Sequence, residues 1–98
     1  MAYALAKMQL SDFVGTPCKS RIAYEFVPKQ DYGLVLESAA AALRRNGVFV
    51  EIETPYLLML KLGGRDVSLF RSGKIIVKST QDMGAAKRVA EDLIGKLA

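Results

Sequence analysis

The chain has 98 residues, 51% of them hydrophobic and 24% charged, which fits one small folded domain and excludes a disordered or low-complexity protein. Its net charge is +4, spread as +2 over residues 1–49 and +2 over residues 50–98, so no basic cluster marks it as a nucleic-acid binder on composition alone. The lone Cys18 rules out an internal disulfide, and the lack of a long apolar run or a basic, apolar leader makes a cytoplasmic protein without membrane contact the expectation.

Residues Met1 to Val14 carry Ala2, Ala4, Leu5, Ala6, Met8 and Leu10, which suit a short helix broken by Gly15-Thr16-Pro17. Such a helix can pack outside the core or serve as a swapped, partner-binding arm. Residues 1–17 therefore read as an extension, and 19–97 as the core of a single domain over 1–98. From Lys19 to Val27, Ser20, Ile22, Tyr24 and Phe26 alternate with Arg21, Ala23, Glu25 and Val27. This predicts a half-buried strand ended by Pro28. Asp31 is placed to cap a helix running to about Asn46, with Leu36, Ala39, Ala40 and Leu43 on one face. Arg44 and Arg45 suit its C-terminal end, and Gly47 can stop it.

Val48 to Glu53 alternates again, placing Val48, Val50 and Ile52 inward and Phe49, Glu51 and Glu53 outward. After Thr54-Pro55, the stretch Tyr56 to Leu62 puts Tyr56, Leu58, Leu60 and Leu62 on one face and Leu57, Met59 and Lys61 on the other. Gly63-Gly64 turns the chain into a hairpin, Val67 to Phe70 against Lys74 to Lys78, about a two-residue Ser72-Gly73 loop. Its core face holds Val67, Leu69, Ile75 and Val77; its other face holds Ser68, Phe70, Lys74, Ile76 and Lys78. Ser79 and Asp82 stand in capping-box spacing before a helix at about 80–97 with an apolar stripe of Met83, Ala86, Val89, Ala90, Leu93 and Leu97.

The resulting order, β-α-β-β-β-β-α with an optional N-terminal helix, predicts an α+β layer. A curved antiparallel sheet of four or five strands carries two helices on one face. The opposite face would display Arg21, Ala23, Glu25, Phe49, Glu51, Glu53, Leu57, Met59, Lys61, Ser68, Phe70, Ile76 and Lys78. So much apolar surface is not normally left open on a monomer, which makes this face the first candidate for an interface.

Catalytic chemistry finds little footing. The chain contains no histidine, the commonest general base and metal ligand, so Cys18 has no imidazole to activate it. Glu51 and Glu53 share a strand in the manner of ordinary solvated charge. Gly63-Gly64-Arg65 is too short for a phosphate loop, and no dinucleotide fingerprint is present. The expectation is a non-enzymatic binding protein with no cofactor or metal.

At Phe70-Arg71-Ser72-Gly73-Lys74 the chain resembles the TATA-binding protein family, whose repeats carry Phe-x-Ser-Gly-Lys at a hairpin followed by an apolar strand and an alanine-rich basic helix. Lys74-Ile75-Ile76-Val77 and Gly84-Ala85-Ala86-Lys87-Arg88 are similar to those features, and the element order from Lys19 to Leu97 resembles one repeat. The resemblance implies an open sheet face that binds the DNA minor groove, with Phe70 as an inserted wedge and Ile76 facing the groove. It further implies a homodimer that rebuilds a two-repeat saddle, with Phe70, Arg71, Lys74 and Lys78 in contact with double-stranded DNA. Lys78 stands where the family usually has threonine, and Glu25, Glu51 and Glu53 fall where phosphates would approach. The alternative is a protein-interaction module on the same face, anchored by Phe49, Leu57, Met59 and Phe70, with Lys61 beside them and the glutamates selecting a basic partner.

Overall fold

The computed structural model describes residues 13–17, 22–80 and 82–97. Eight elements follow in order: β1 Phe13–Pro17, β2 Ala23–Pro28, α1 Leu36–Arg45, β3 Phe49–Glu53, β4 Leu57–Leu62, β5 Arg65–Phe70, β6 Ile75–Lys78 and α2 Met83–Leu97. The strands form one six-stranded sheet in the order β1-β2-β6-β5-β4-β3, antiparallel at every pairing. The α+β class is as expected. The strand count is six instead of four or five, and the order among the described residues is β-β-α-β-β-β-β-α.

The added strand is β1. Phe13–Pro17 was expected to hold the end and the break of an N-terminal helix; it pairs instead along β2, with Val14 opposite Val27 and Thr16 opposite Glu25. Phe13 is buried and its ring stacks on Tyr32 at 5.9 Å, an anchor that local helix propensity cannot outweigh. The rest of the expected N-terminal helix, and Lys19, Ser20 and Arg21 of the expected first strand, lie outside the described residues. Ile22, expected on the Tyr24 and Phe26 side of that strand, precedes it and is exposed.

Both helices cover one side of the sheet. Leu36, Ala39, Ala40 and Leu43 of α1 and Ala86, Ala90, Leu93 and Leu97 of α2 join Tyr24, Phe26, Leu58, Leu60, Val67, Leu69, Ile75 and Val77 in a single core. The small alanines let the helices approach the sheet closely, and most of these side chains exclude water almost completely. The Asn46 side-chain amide donates to the carbonyls of Ala42 and Lys96, tying the two helix ends together.

Three local readings change. α1 begins at Leu36 and not at Asp31, because the preceding backbone is engaged elsewhere: Tyr32 N–H donates to the Ser72 carbonyl and Leu34 N–H to that of Arg71. Asp31 accepts from the Gly33 N–H in a local turn, and α1 has no side-chain cap. α2 is capped by Asp82, whose carboxylate accepts from the Ala85 N–H at 3.0 Å; Ser79 lies in the left-handed region at φ 67° and takes no part in a capping box. The β5–β6 loop is Arg71-Ser72-Gly73, three residues long. Phe70 N–H donates to the Lys74 carbonyl and Gly73 N–H to that of Phe70, with Gly73 at φ 102°.

The fourth change bears on the open face. The β3–β4 register slips between Val50 and Ile52, so that Val50 opposes Leu60, Ile52 opposes Met59 and Glu53 opposes Leu58. This bulge reverses the expected parity at the end of β3. Ile52 joins the open face and is 44% exposed, whereas Glu53 turns to the helix side and pairs with Arg44 at 2.9 Å. Tyr56, expected inward, lies in the β3–β4 turn and is exposed.

Candidate interaction surface

Residues that oppose each other across an antiparallel pair point to the same side of the sheet. The observed registers therefore arrange the face opposite the helices, which no described element covers, in three rows that cross the strands. The middle row runs Ile52, Met59, Ser68, Ile76, Glu25, Thr16 from β3 to β1. One flanking row holds Phe49, Lys61 and Asp66, then by continuation of the register Lys78 and Ala23. The other holds Leu57 and Phe70, then Lys74, Val27 and Val14.

Of the residues expected at the interface, this face brings together Phe70, Lys74, Ile76, Lys78, Phe49, Leu57, Met59 and Lys61. Phe49 is 62% exposed; Leu57, Met59, Phe70 and Ile76 are half-buried among their neighbours. Arg71 is not part of the rows: it borders a hollow of about 430 Å³ shared with Gly33 to Glu37 and Glu53 to Pro55, beside the start of α1. Sequence alternation missed Ile52, because a bulge leaves no simple signature in the pattern. It also missed Val14 and Thr16, whose β-branched side chains were the available sign that this segment could be a strand. Asp66 was missed as well, because the strand begins at Arg65, two residues before the expected Val67. Another hollow, about 370 Å³, lies on the helix side between β1 and α2 over Tyr24 and Phe26.

Charge on the open face is matched within the face. Lys61 hydrogen-bonds Asp66 across β4–β5, and Lys74 lies 3.8 Å from Glu25. The Lys61 hydrogen bond and charge hold the Asp66 carboxyl below the usual carboxylate range, and Lys78 adds to the effect. The same contact raises the Lys61 ammonium, with a smaller contribution from Glu51. Lys74 also stands over the Phe70 ring, 4.9 Å from its centroid. Among the described residues, three lysines (Lys61, Lys74, Lys78) and three carboxylates (Glu25, Glu51, Asp66) share this face and balance in formal charge.

Among the described residues, no group of three or more His, Cys, Asp or Glu side chains is placed to hold a metal ion, and no helix is long and apolar enough to cross a membrane. No family model, curated protein or solved structure matches this chain.

Proposed function

We propose that the chain is a non-enzymatic protein-interaction module that works through its uncovered sheet face. The observation that carries this reading is the pairing of charge on that face. A surface meant for a polyanion leaves its cations free to meet phosphates, whereas among the described residues of this face Lys61 and Lys74 are each paired with a carboxylate and Lys78 acts on Asp66. Apolar rows bordered by balanced charge suit a protein partner, in which hydrophobic anchors supply binding and ion pairs select the mate. Phe49, Ile52, Leu57, Met59, Phe70 and Ile76 are the anchors.

The competing reading is minor-groove DNA binding by the same face, and it rests on the hairpin resemblance. It requires Phe70 to leave the Lys74 ammonium and enter a base step, and it requires Glu25 and Glu51 to approach phosphates. One experiment separates the two. Fluorescence anisotropy with duplex DNA at low salt should report no binding beyond a weak non-specific level. A photo-crosslinking residue at Met59, introduced in the native host, should capture protein, while the same probe at Lys87 on α2 should not. Duplex binding with a steep salt slope, weakened by Lys78→Ala and strengthened by Glu25→Gln with Glu51→Gln, would reverse the assignment in favour of DNA.

A further inference from the structure

We infer that the occupant of the sheet face is a second copy of this chain, packed face to face about a two-fold axis that runs parallel to the strands between β5 and β6. The inference rests on the reading of the face as a protein-binding surface and adds the identity and register of the partner.

The edges of the sheet are poor sites for association. Ser79 N–H donates to the Ile22 carbonyl, so even-numbered residues of β2 bond towards β6 and odd-numbered ones towards β1. Val14 and Thr16, opposite Val27 and Glu25, then turn their backbone groups inward. The free edge of β1 is left to Phe13, Gly15 and Pro17, and Pro17 has no N–H to offer. At the opposite edge β3 is interrupted by its bulge. Lengthening the sheet with another strand is hindered on both sides, and the open face remains.

That face is complementary to itself. A two-fold axis along the strands keeps each row in place and exchanges β5 with β6, β4 with β2, and β3 with β1. Asp66 then lies opposite Lys78 of the second copy, and Lys78 opposite the second copy's Asp66. Phe70 meets the second copy's Lys74, Leu57 meets Val27, and Ser68 meets Ile76. Opposite charges meet at Asp66–Lys78, a cation faces a ring at Phe70–Lys74 and apolar side chains meet at Leu57–Val27, while in the middle row Ser68 faces Ile76 and Met59 faces Glu25. Turning the axis across the strands instead would set Lys74 against Lys78, a like-charge contact. Two sheets stacked in this manner lie about 10 Å apart, and their twist displaces the outer strands more than β5 and β6, where the decisive contacts lie. A face only five inter-strand gaps wide, about 24 Å, lies at the small end of specific interfaces, so affinity in the micromolar range is expected.

Sedimentation equilibrium across the micromolar range should show the wild-type chain moving from monomer to dimer. Asp66→Lys alone and Lys78→Asp alone should each weaken association by at least about tenfold, because either change creates two like-charge contacts per dimer. An equimolar mixture of these two variants should dimerise again, since both contacts are then opposite in sign. Circular dichroism of each variant checks that it folds. Only an isologous Asp66–Lys78 contact produces rescue by mixing. A wild-type monomer throughout the range, a dimer indifferent to both reversals, or no recovery on mixing overturns the inference. Should the wild type be monomeric while the Met59 crosslinker still captures another protein, the second copy is excluded and the interaction reading survives. Capture of nothing by a monomer overturns both.

Discussion

At the scale of single residues, Gly73 carries two independent constraints. Its φ of 102° is unfavourable for any side chain, and a Cβ added there would come within 2.8 Å of the Tyr32 ring. Tyr32 cannot move away freely, because it stacks on Phe13 and its N–H is bonded to the Ser72 carbonyl. Gly73→Ala is therefore expected to destabilise the fold by about 2–3 kcal/mol in urea titration. Gly63→Ala is the control. It shares a positive φ of 60° but meets open space, and should cost only about 1 kcal/mol. Equal losses at the two sites would show that the Tyr32 contact carries no weight.

Elements in this fold begin where tertiary contacts allow them to. Asp31 and Asp82 are both plausible helix caps by composition, yet only Asp82 holds an N–H of the helix that follows. The segment before α1 is bonded to the β5–β6 turn, which keeps it extended until Leu36. Replacing Asp82 by Ala should cost about 1 kcal/mol in chemical denaturation. Asp31→Ala should cost clearly less, since it removes a local turn contact at an exposed site. A larger loss at Asp31 would place the start of α1 earlier than Leu36. The bulge in β3 shifts placement in the same way: it turns Glu53 to the helix side beside the Arg44 guanidinium and sends Ile52 to the open face.

For the molecule as a whole, the decisive asymmetry is between a face sealed by two helices and a face that no described element covers. Adjacent residues of β4 test it. Leu58 is fully buried in the core, while Met59 stands half-exposed in the middle row of the open face. Leu58→Ala should cost about 2–5 kcal/mol and lower the urea midpoint by every probe together. Met59→Ala should stay within about 1 kcal/mol for the monomer, and its main effect should fall on association. A reversed ranking would mean that the sheet is covered on the other side.

Much of this was written in the local pattern of the chain. Period-two alternation named the core residues Val67, Leu69, Ile75 and Val77 and placed Phe70, Ile76, Leu57 and Met59 opposite them, because strand parity depends only on neighbouring residues. The stripe of α2 was legible at Ala86, Ala90, Leu93 and Leu97, since helical periodicity is also a local property, whereas Met83 at its start is exposed. Three things depended on contacts between distant segments. Phe13–Pro17 became a strand because Tyr24, Phe26 and Tyr32 were there to receive it. Ile52 and Glu53 exchanged faces at the β3–β4 register slip, which strand alternation does not encode and which leaves the Glu53 carboxylate beside Arg44. The neutrality of the open face, finally, came from Lys61–Asp66 and Lys74–Glu25, pairs set by strand register and turn geometry. A sequence can state which charges exist; only packing decides which of them are left free to meet a partner.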